Sequence, residues 1–300
     1  LGMNHPGEID VLARVAQPTV ALVNNAQREH LEFMQTVQAV AEENGSVIAV
    51  LPADGTAVFP ADDAFTALWQ NLAGARATAR FALQPSASAQ ELGCVSAEWA
   101  DGAWAVRAEG LGQALTFRLH IAGRHNVKNA LAAAACALSA GVAAEAVVRG
   151  LETFVPVKGR SRALALALPD RVRTLVDDTY NANPDSVRAA IAVLAELPAP
   201  RLLVLGDMGE VGEQGPAFHA EAGAEARAAG IEHFFATGEL ARSAVSVFPG
   251  AQHFAAMEDL QAAVRQCLPQ VNSILVKGSR FMRMERVVEA LVALQAENAA

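Results

Sequence analysis

The sequence predicts an α/β protein in two parts, a mixed sheet with an antiparallel meander followed by a Rossmann-like parallel sheet. Three observations carry this prediction. From about residue 160, the apolar runs "TLVDD", "RLLVLGD", "HFFATG" and "SILVKG" alternate with helical stretches, the rhythm of a parallel sheet covered by helices on both faces. Over residues 77–121 the alternation has period two between glycine turns, as in an antiparallel meander. Ahead of the meander lies strand–helix–strand material with polar residues at the strand exits. Proline and glycine interrupt the helical pattern at "FVPVKGRSR", which divides the chain into 1–157 and 158–300.

Taken in order, the first part reads as a strand "TVALVNN", a helix "REHLEFMQTVQAVAEEN" and a second strand "SVIAVLP" leading into "ADGTAVFPADD". The meander segments are "TARFALQ", "CVSAEWA", "AWAVRAE" and "LTFRLHI". A long helix over "AGRHNVKNALAAAACALSAG" ends at glycine, and a short helix follows. In the second part, helices are expected to begin near Pro184, Pro216, Glu239, Met257 and Phe281.

Composition narrows the function classes. With 52% hydrophobic and 18% charged residues, the chain can bury sizeable cores and is not disordered. A net charge of −9 argues against a duplex nucleic-acid binder, which needs a basic face. An acidic protein that binds a small anion needs local devices such as helix amino-termini, arginines or a divalent metal. Cys94, Cys136 and Cys267 are far apart with no CxxC spacing, so free buried thiols are expected rather than a disulfide framework or a zinc site. The stretch "ALAAAACALSAGVAA" is too short for a membrane span, and no signal segment opens the chain, so a cytoplasmic location is expected.

Chemistry is expected where parallel strands end. In "DDTYNANPDS", helix capping accounts for Asn183, Pro184 and Asp185, but leaves Asp177, Asp178, Tyr180 and Asn181 over. A carboxylate there suits a ribose hydroxyl or a metal. In "GRHNVKNALAAAACA", Asn126 and Asn129 are three apart on one helix face. They are either a cap with a surface neighbour or a pair of amides able to donate and accept at the edge of adenine. His30 in "VNNAQREHLEF" either caps a helix or ligates a metal. Lys158, Gly159 and Arg160 in one place and Lys277, Gly278, Ser279 and Arg280 in another put cations beside glycines, where arginine suits phosphate or carboxylate. No GxSxG, HExxH, GxGxxG or GxxxxGK[ST] motif occurs in these residues.

Seven stretches, "GMNHPGEI", "NNAQREHLE", "GRHNVKNALAAAA", "VPVKGR", "DDTYNANPDS", "LGDMGEVGE" and "LVKGSR", follow one another in an order that resembles the Mur ligases. Within that family, "NANPDS" with "GDM" and "KGSR" resembles the type that adds D-alanyl-D-alanine to UDP-N-acetylmuramoyl-tripeptide in peptidoglycan precursor synthesis. The resemblance implies an ATP-dependent amide ligase working through an acyl phosphate, with ATP and Mg²⁺ as cofactors. The partners implied are small molecules (the UDP-sugar tripeptide, D-alanyl-D-alanine and ATP), with no nucleic acid, and a monomer is expected. It covers the later part of a central ATPase domain and a complete carboxyl-terminal domain, so the run "LGMNHPGEID" is expected to be interior to a longer protein, and the chain alone inactive. The alternative is a non-catalytic nucleotide-binding module on the same fold.

Position by position, the resemblance implies that His30 ligates magnesium with Asn25 beside it near the phosphates. It puts Asn126 and Asn129 at adenine with His125 supporting them, Arg160 at an ATP phosphate and Asp178 near the ribose. Tyr180, Asn181, Lys277, Ser279 and Arg280 fall on the incoming amino-acid side, with Arg160, Asn25 and Asn181 as the catalytic set. Two departures stand out. Asn44 occupies the position of a lysine that the family carbamylates to bridge magnesium, and an amide cannot form a carbamate. The phosphate-binding loop motif is also absent from these 300 residues.

Overall fold

The computed structural model describes residues 1–100 and 103–299. The chain divides into two units, Leu1–Val155 and Pro156–Ala300.

The first unit is built on a six-stranded sheet in simple sequence order: β1 (Val20–Leu22), β2 (Thr56–Pro60), β3 (Ala77–Ala82), β4 (Glu91–Ala100), β5 (Ala103–Gly110) and β6 (Gln113–Leu119). β1 to β4 run parallel, and β4, β5 and β6 are antiparallel. The meander expected over 77–121 is therefore shorter by one strand. Period-two alternation records that a strand has two faces, not which way its neighbour runs.

Both faces of the parallel part are covered. On β2, Ala57 and Phe59 face a core with α1 (Glu8–Ala16), α3 (Val37–Val50) and α4 (Thr66–Ala73). Val58 faces the opposite core, closed by α5 (Arg124–Ser139) and α6 (Ala144–Glu152). This two-sided burial explains the nearly continuous apolar runs of the parallel strands.

Two expected elements differ here. The helix expected over 28–44 is broken into α2 (Leu31–Met34) and α3, because Gln35 takes a positive φ of 67° and Thr36 starts afresh. The Thr36 hydroxyl accepts the Ala39 amide at 3.1 Å, a conventional N-cap. Residues 46–50, expected as strand, belong to α3, and the second strand is β2 further on. Valine and isoleucine favour strands locally, but packing overrides that preference. Gly45 lies so close to α4 that a Cβ there would stand 2.7 Å from Leu72, and the Trp69 indole donates to the Ala41 carbonyl at 3.0 Å. Arg76 then collects the carbonyls of Ala49, Leu51 and Ala73 at the ends of α3 and α4.

In the second unit, the sheet order is β11–β10–β9–β12–β8–β7, comprising β7 (Arg162–Ala167), β8 (Val172–Asp178), β9 (Arg201–Leu205), β10 (His233–Thr237), β11 (Gln252–Phe254) and β12 (Ser273–Lys277). All neighbours are parallel except β7, which pairs antiparallel with β8 at the edge. The central four strands are those the sequence predicts, and β7 and β11 are additional edge strands. Asn183 and Ser186 form a reciprocal capping box that opens α7 (Pro184–Glu196). α8 (Gly215–Ala228), α9 (Arg242–Ser246) and α10 (Met257–Cys267) follow. The last helix, α11 (Glu285–Ala299), starts later than expected, because residues 280–282 form a 3-10 turn closed by Arg283 at φ 52°.

Cys94 and Cys267 are buried and Cys136 half-buried, all free, and burial pushes each thiol up from its ordinary value. No helix among the described residues is long and apolar enough to cross a membrane.

Candidate functional site

In the first unit the chain leaves β1 through Val23, whose amide extends the ladder to Val58 at 2.9 Å, and then turns polar at Asn24 and Asn25. An open pocket of about 280 Å³ lies at this exit. Ile9, Leu22, Val23 and Val47 supply its apolar lining, and Asn24, Asn25, Glu29 and Asn44 its polar groups. Asn44 lies between two of these: its Nδ2 is 3.3 Å from the Asn25 carbonyl and 3.4 Å from Glu29 Oε1. The neighbouring Glu43 serves a different purpose. Its carboxylate, nearly buried, accepts the Gly7 and Ile9 amides at 2.8 Å each and caps the start of α1.

A helix amino-terminus borders the same exit. α5 opens after Gly123 (φ 94°), with His125, Asn126 and Asn129 in its first turns. The Asn126 side chain does not cap the helix but reaches back, donating to the Ala122 carbonyl at 2.7 Å. Asn129 Nδ2 donates to Asn126 Oδ1 at 3.1 Å, and Asn24 Nδ2 donates to Asn129 Oδ1 at 2.9 Å. The asparagine pair is thereby joined to the exit of β1. Lys128, on the same helix, pairs with Asp62 at 2.6 Å and fixes α5 to the loop after β2. His30 is half-buried at the head of α2 with φ 52°, and its ring makes no bond capping the helix.

The strand exits of the second unit form a separate polar cluster. Lys277 and Asp178 are register partners at the carboxyl ends of β12 and β8. Their side chains meet at 2.6 Å with Lys277 only 3% exposed, and Lys277 Nζ also donates to the Asn181 carbonyl at 3.0 Å. Asp178 Oδ1 accepts both the amide and the hydroxyl of Ser161. Asp177 accepts the Gly159 amide at 3.0 Å and the Thr179 hydroxyl at 2.6 Å. The segment 159–161 is thus pinned to the end of β8, and Arg160 lies over the Tyr180 ring at 4.0 Å.

Ser279 is 2% exposed; its hydroxyl accepts the Gly209 amide at 2.6 Å and donates to the Ala182 carbonyl at 3.1 Å. Behind the 207–209 loop sits His219, fully buried. Its Nδ1 is 2.7 Å from the Gly215 carbonyl, so that nitrogen carries the proton, and Nε2 accepts the Met208 amide at 2.9 Å. Burial lowers its pKa, against smaller opposing pulls from the bond to the Gly215 carbonyl and from Asp207 at 3.9 Å. Arg280 is exposed and pairs with Glu285, while Tyr180 and Asn181 are also exposed.

Of the residues singled out from the sequence, the structure gathers Asn25, Asn126 and Asn129 in one cluster and Asp178, Lys277, Ser279, Arg160 and Tyr180 in another. Sequence reasoning passed over Asn24, Glu29 and His219. The doubled asparagine at a strand exit was a usable signal for the first. His219 had none, because its role depends on a loop eleven residues away.

Comparison with known proteins fits this architecture. Residues 1–137 match the Mur ligase middle domain, and residues 159–280 match the Mur ligase glutamate ligase domain. The chain belongs to the Mur ligase family. It is 36% identical over 293 residues to the UDP-N-acetylmuramoyl-tripeptide–D-alanyl-D-alanine ligase of Escherichia coli, covering 97% of this chain and 64% of that protein. A crystal structure of MurF from Acinetobacter baumannii superposes with a TM-score of 0.89 at 30% identity, over 98% of this chain and 64% of that one. MurF of Thermotoga maritima, solved in complex with ADP, shares the fold with a TM-score of 0.85 at 22% identity, over 98% of this chain and 66% of that one. The chain therefore spans a little under two thirds of the length of these proteins.

Proposed function

We propose that these two units carry the nucleotide and amino-acid sites of an ATP-dependent amide ligase that joins D-alanyl-D-alanine to UDP-N-acetylmuramoyl-tripeptide. The observation that carries this reading is the unbroken polar path from the β1 exit pocket to Asn126 and Asn129, at the strand ends where α/β sheets bind ligands. The activity named for the E. coli relative and the ADP held by the T. maritima relative support it.

In the reaction, the tripeptide carboxylate takes the γ-phosphoryl group of ATP to give an acyl phosphate and ADP. The dipeptide amine then attacks, and the tetrahedral adduct expels phosphate as the amide forms. The protein's task is to orient the reactants and balance the phosphoryl charge.

Asn126 and Asn129 would meet the adenine edge, each amide keeping one donor and one acceptor site beyond its internal bonds, with His125 in support. Asn25 and Arg160 would face the phosphates. Asp178, with three of about four acceptor sites in use, keeps capacity for a ribose hydroxyl. Tyr180, Asn181 and Arg280 are exposed and would meet the dipeptide. Lys277 and Ser279 are buried and would act by holding Asp178, Asn181 and the 207–209 loop.

Magnesium is implied by the family. Among the described residues no group of three or more His, Cys, Asp or Glu side chains could hold a metal. The pocket does offer hard oxygen donors, the Glu29 carboxylate with the amides of Asn25 and Asn44. One carboxylate with substrate phosphates is an ordinary magnesium site, so the residues fit. His30, half-buried at the head of α2, would hold the ion together with the adjacent Glu29 carboxylate, and the ion would supply neutralisation of phosphoryl charge. Asn44 would orient Glu29 without any carbamate.

The test is product formation. A polypeptide extended to the length of these relatives and containing these 300 residues should release phosphate from ATP only with both substrates present. Its UDP-sugar product should gain the mass of D-alanyl-D-alanine less water. ATP turnover independent of either substrate would overturn the reading. The 300 residues alone are expected to bind adenine nucleotide without turnover.

A further inference from the structure

The three asparagines at the β1 exit do more than lie near one another. Ala122 offers a backbone carbonyl, which can only accept, so Asn126 must turn its NH₂ toward it. Asn126 then presents its oxygen to Asn129, which must answer with its own NH₂. Asn129 in turn presents its oxygen to Asn24, which must donate. Hydrogen-bonding capacity alone therefore gives this chain of amides a single direction, from Asn24 to Ala122. Asn129 is exposed and Asn126 half-buried on the first turns of α5, so both remain open to a ligand.

We infer that Asn24 is the positioning residue that holds the exposed Asn129 in the amide orientation that Ala122 sets through Asn126, and so keeps the pair selective for one nucleobase. This rests on the adenine reading of Asn126 and Asn129 given above. An asparagine whose amide can rotate by half a turn offers either a donor or an acceptor at the same point, and so discriminates poorly between an exocyclic amine and a carbonyl. Asn24 removes that freedom by occupying Asn129 Oδ1. Along that edge adenine and hypoxanthine are reversed, an amine donor beside an N1 acceptor against a carbonyl acceptor beside an N1–H donor, which makes the pair of bases a direct probe of amide orientation.

Asn24→Asp is the sharpest test. A carboxylate at residue 24 only accepts, so acceptors would stand at both ends of the chain. Asn129 would have to reverse, and one junction must break. Asn24→Leu instead removes one of the two partners and leaves the exposed Asn129 side chain held by its bond to Asn126 alone. The chain should bind ADP more tightly than IDP, as measured by calorimetry. Asn24→Asp should lose about tenfold in ADP affinity, the scale of a partnered polar group left unsatisfied. The ADP:IDP ratio should fall toward one, and in the uncharged Asn24→Leu pyrophosphate affinity should stay within about twofold of wild type, a result that general loss of structure would not produce. Asn24→Leu should lower the ratio less. An unchanged ADP:IDP ratio in Asn24→Asp would overturn the inference.

A second measurement separates this from the functional reading. With selective ¹⁵N-asparagine labelling, the Asn126 and Asn129 side-chain amide protons should be protected from exchange in the ligand-free chain and lose protection in Asn24→Asp. If the chain binds no nucleotide, the adenine reading fails while this protection still reports on the relay. Unchanged protection in Asn24→Asp would sink the relay itself.

Discussion

The two polar clusters at the strand exits are made of different material. At the end of β1, neutral amides hold one another at 2.7–3.1 Å on a half-exposed surface, and each keeps unused donors and acceptors. At the ends of β8, β9 and β12, the groups are charged or buried and mostly committed: Lys277 to Asp178, Asp177 to the 159–161 segment, His219 to the 207–209 loop. Neutral amides cost little to leave partly open to water, so such a site can wait for a ligand. A buried ammonium cannot, because desolvation is repaid only while its partner stays in place. Substitutions should therefore act on binding in the first unit and on folding in the second.

The largest expected effect lies in the second cluster. Lys277→Met leaves the Asp178 carboxylate short of its cation at a site where both side chains are largely buried. Breaking such a pair from one side costs about 3–5 kcal/mol. Urea denaturation should show this loss in the second unit while tryptophan fluorescence stays native, because Trp69, Trp99 and Trp104 all lie in the first. A midpoint close to wild type would mean that the ion pair is not what holds these strand ends together.

Glu43 tests the comparison from the other side, as a buried charge within the amide-rich unit. Glu43→Ala strips the Gly7 and Ile9 amides of their acceptor at the start of α1 and should cost about 2–3 kcal/mol. Here the tryptophan signal should report the loss. Nucleotide affinity measured well below the new midpoint should be unchanged, which would separate scaffold from site within a single unit.

His219 contributes a pH dependence. Burial depresses its folded-state pKa below the ordinary 6.5, so the unfolded chain takes up the proton first. Stability of the second unit should be complete above about pH 6.5 and fall as pH drops from there toward the folded-state value. The hydrogen bond to the Gly215 carbonyl and the charge of Asp207 beside the ring oppose this shift without reversing it. His219→Gln keeps an acceptor for the Met208 amide and should flatten the dependence. Equal slopes for variant and wild type between pH 7.5 and 5 would assign the acid sensitivity elsewhere.

The sequence made these two clusters legible to different depths. The four central strands of the second unit were visible because each ends an apolar run in polar residues before a helix signal. Residues 46–50 look like strand in sequence because their helical state rests on Gly45 meeting Trp69 and Leu72, which no local pattern records. Likewise β3 alternates as a meander strand would, but its parallel direction is a property of its partners. Residue types at the candidate site were readable and their burial was not. Lys277 looks in sequence like a free cation beside a glycine, and only the register with Asp178, 99 residues away, makes it an interior group.

One pair in the second cluster escapes its general rule, and it carries the smallest expected effect. Arg160 lies 4.0 Å above the ring of Tyr180, which is 47% exposed. An exposed contact of this kind contributes about 0.5–1 kcal/mol, so Tyr180→Leu should shift the unfolding midpoint only slightly. A charge-assisted hydrogen bond from the same guanidinium to an anion is worth about 1.5–3 kcal/mol, enough to draw Arg160 off the ring. Tyr180 is the only tyrosine in the chain, so a fluorotyrosine label gives a single ¹⁹F resonance at the site. Arg160→Gln should move that resonance by removing the cation. Pyrophosphate added to the wild type should move it in the same direction, and should leave it unmoved in Arg160→Gln. A wild-type resonance indifferent to pyrophosphate would place Arg160 with its committed neighbours, and the second cluster would then be scaffold throughout.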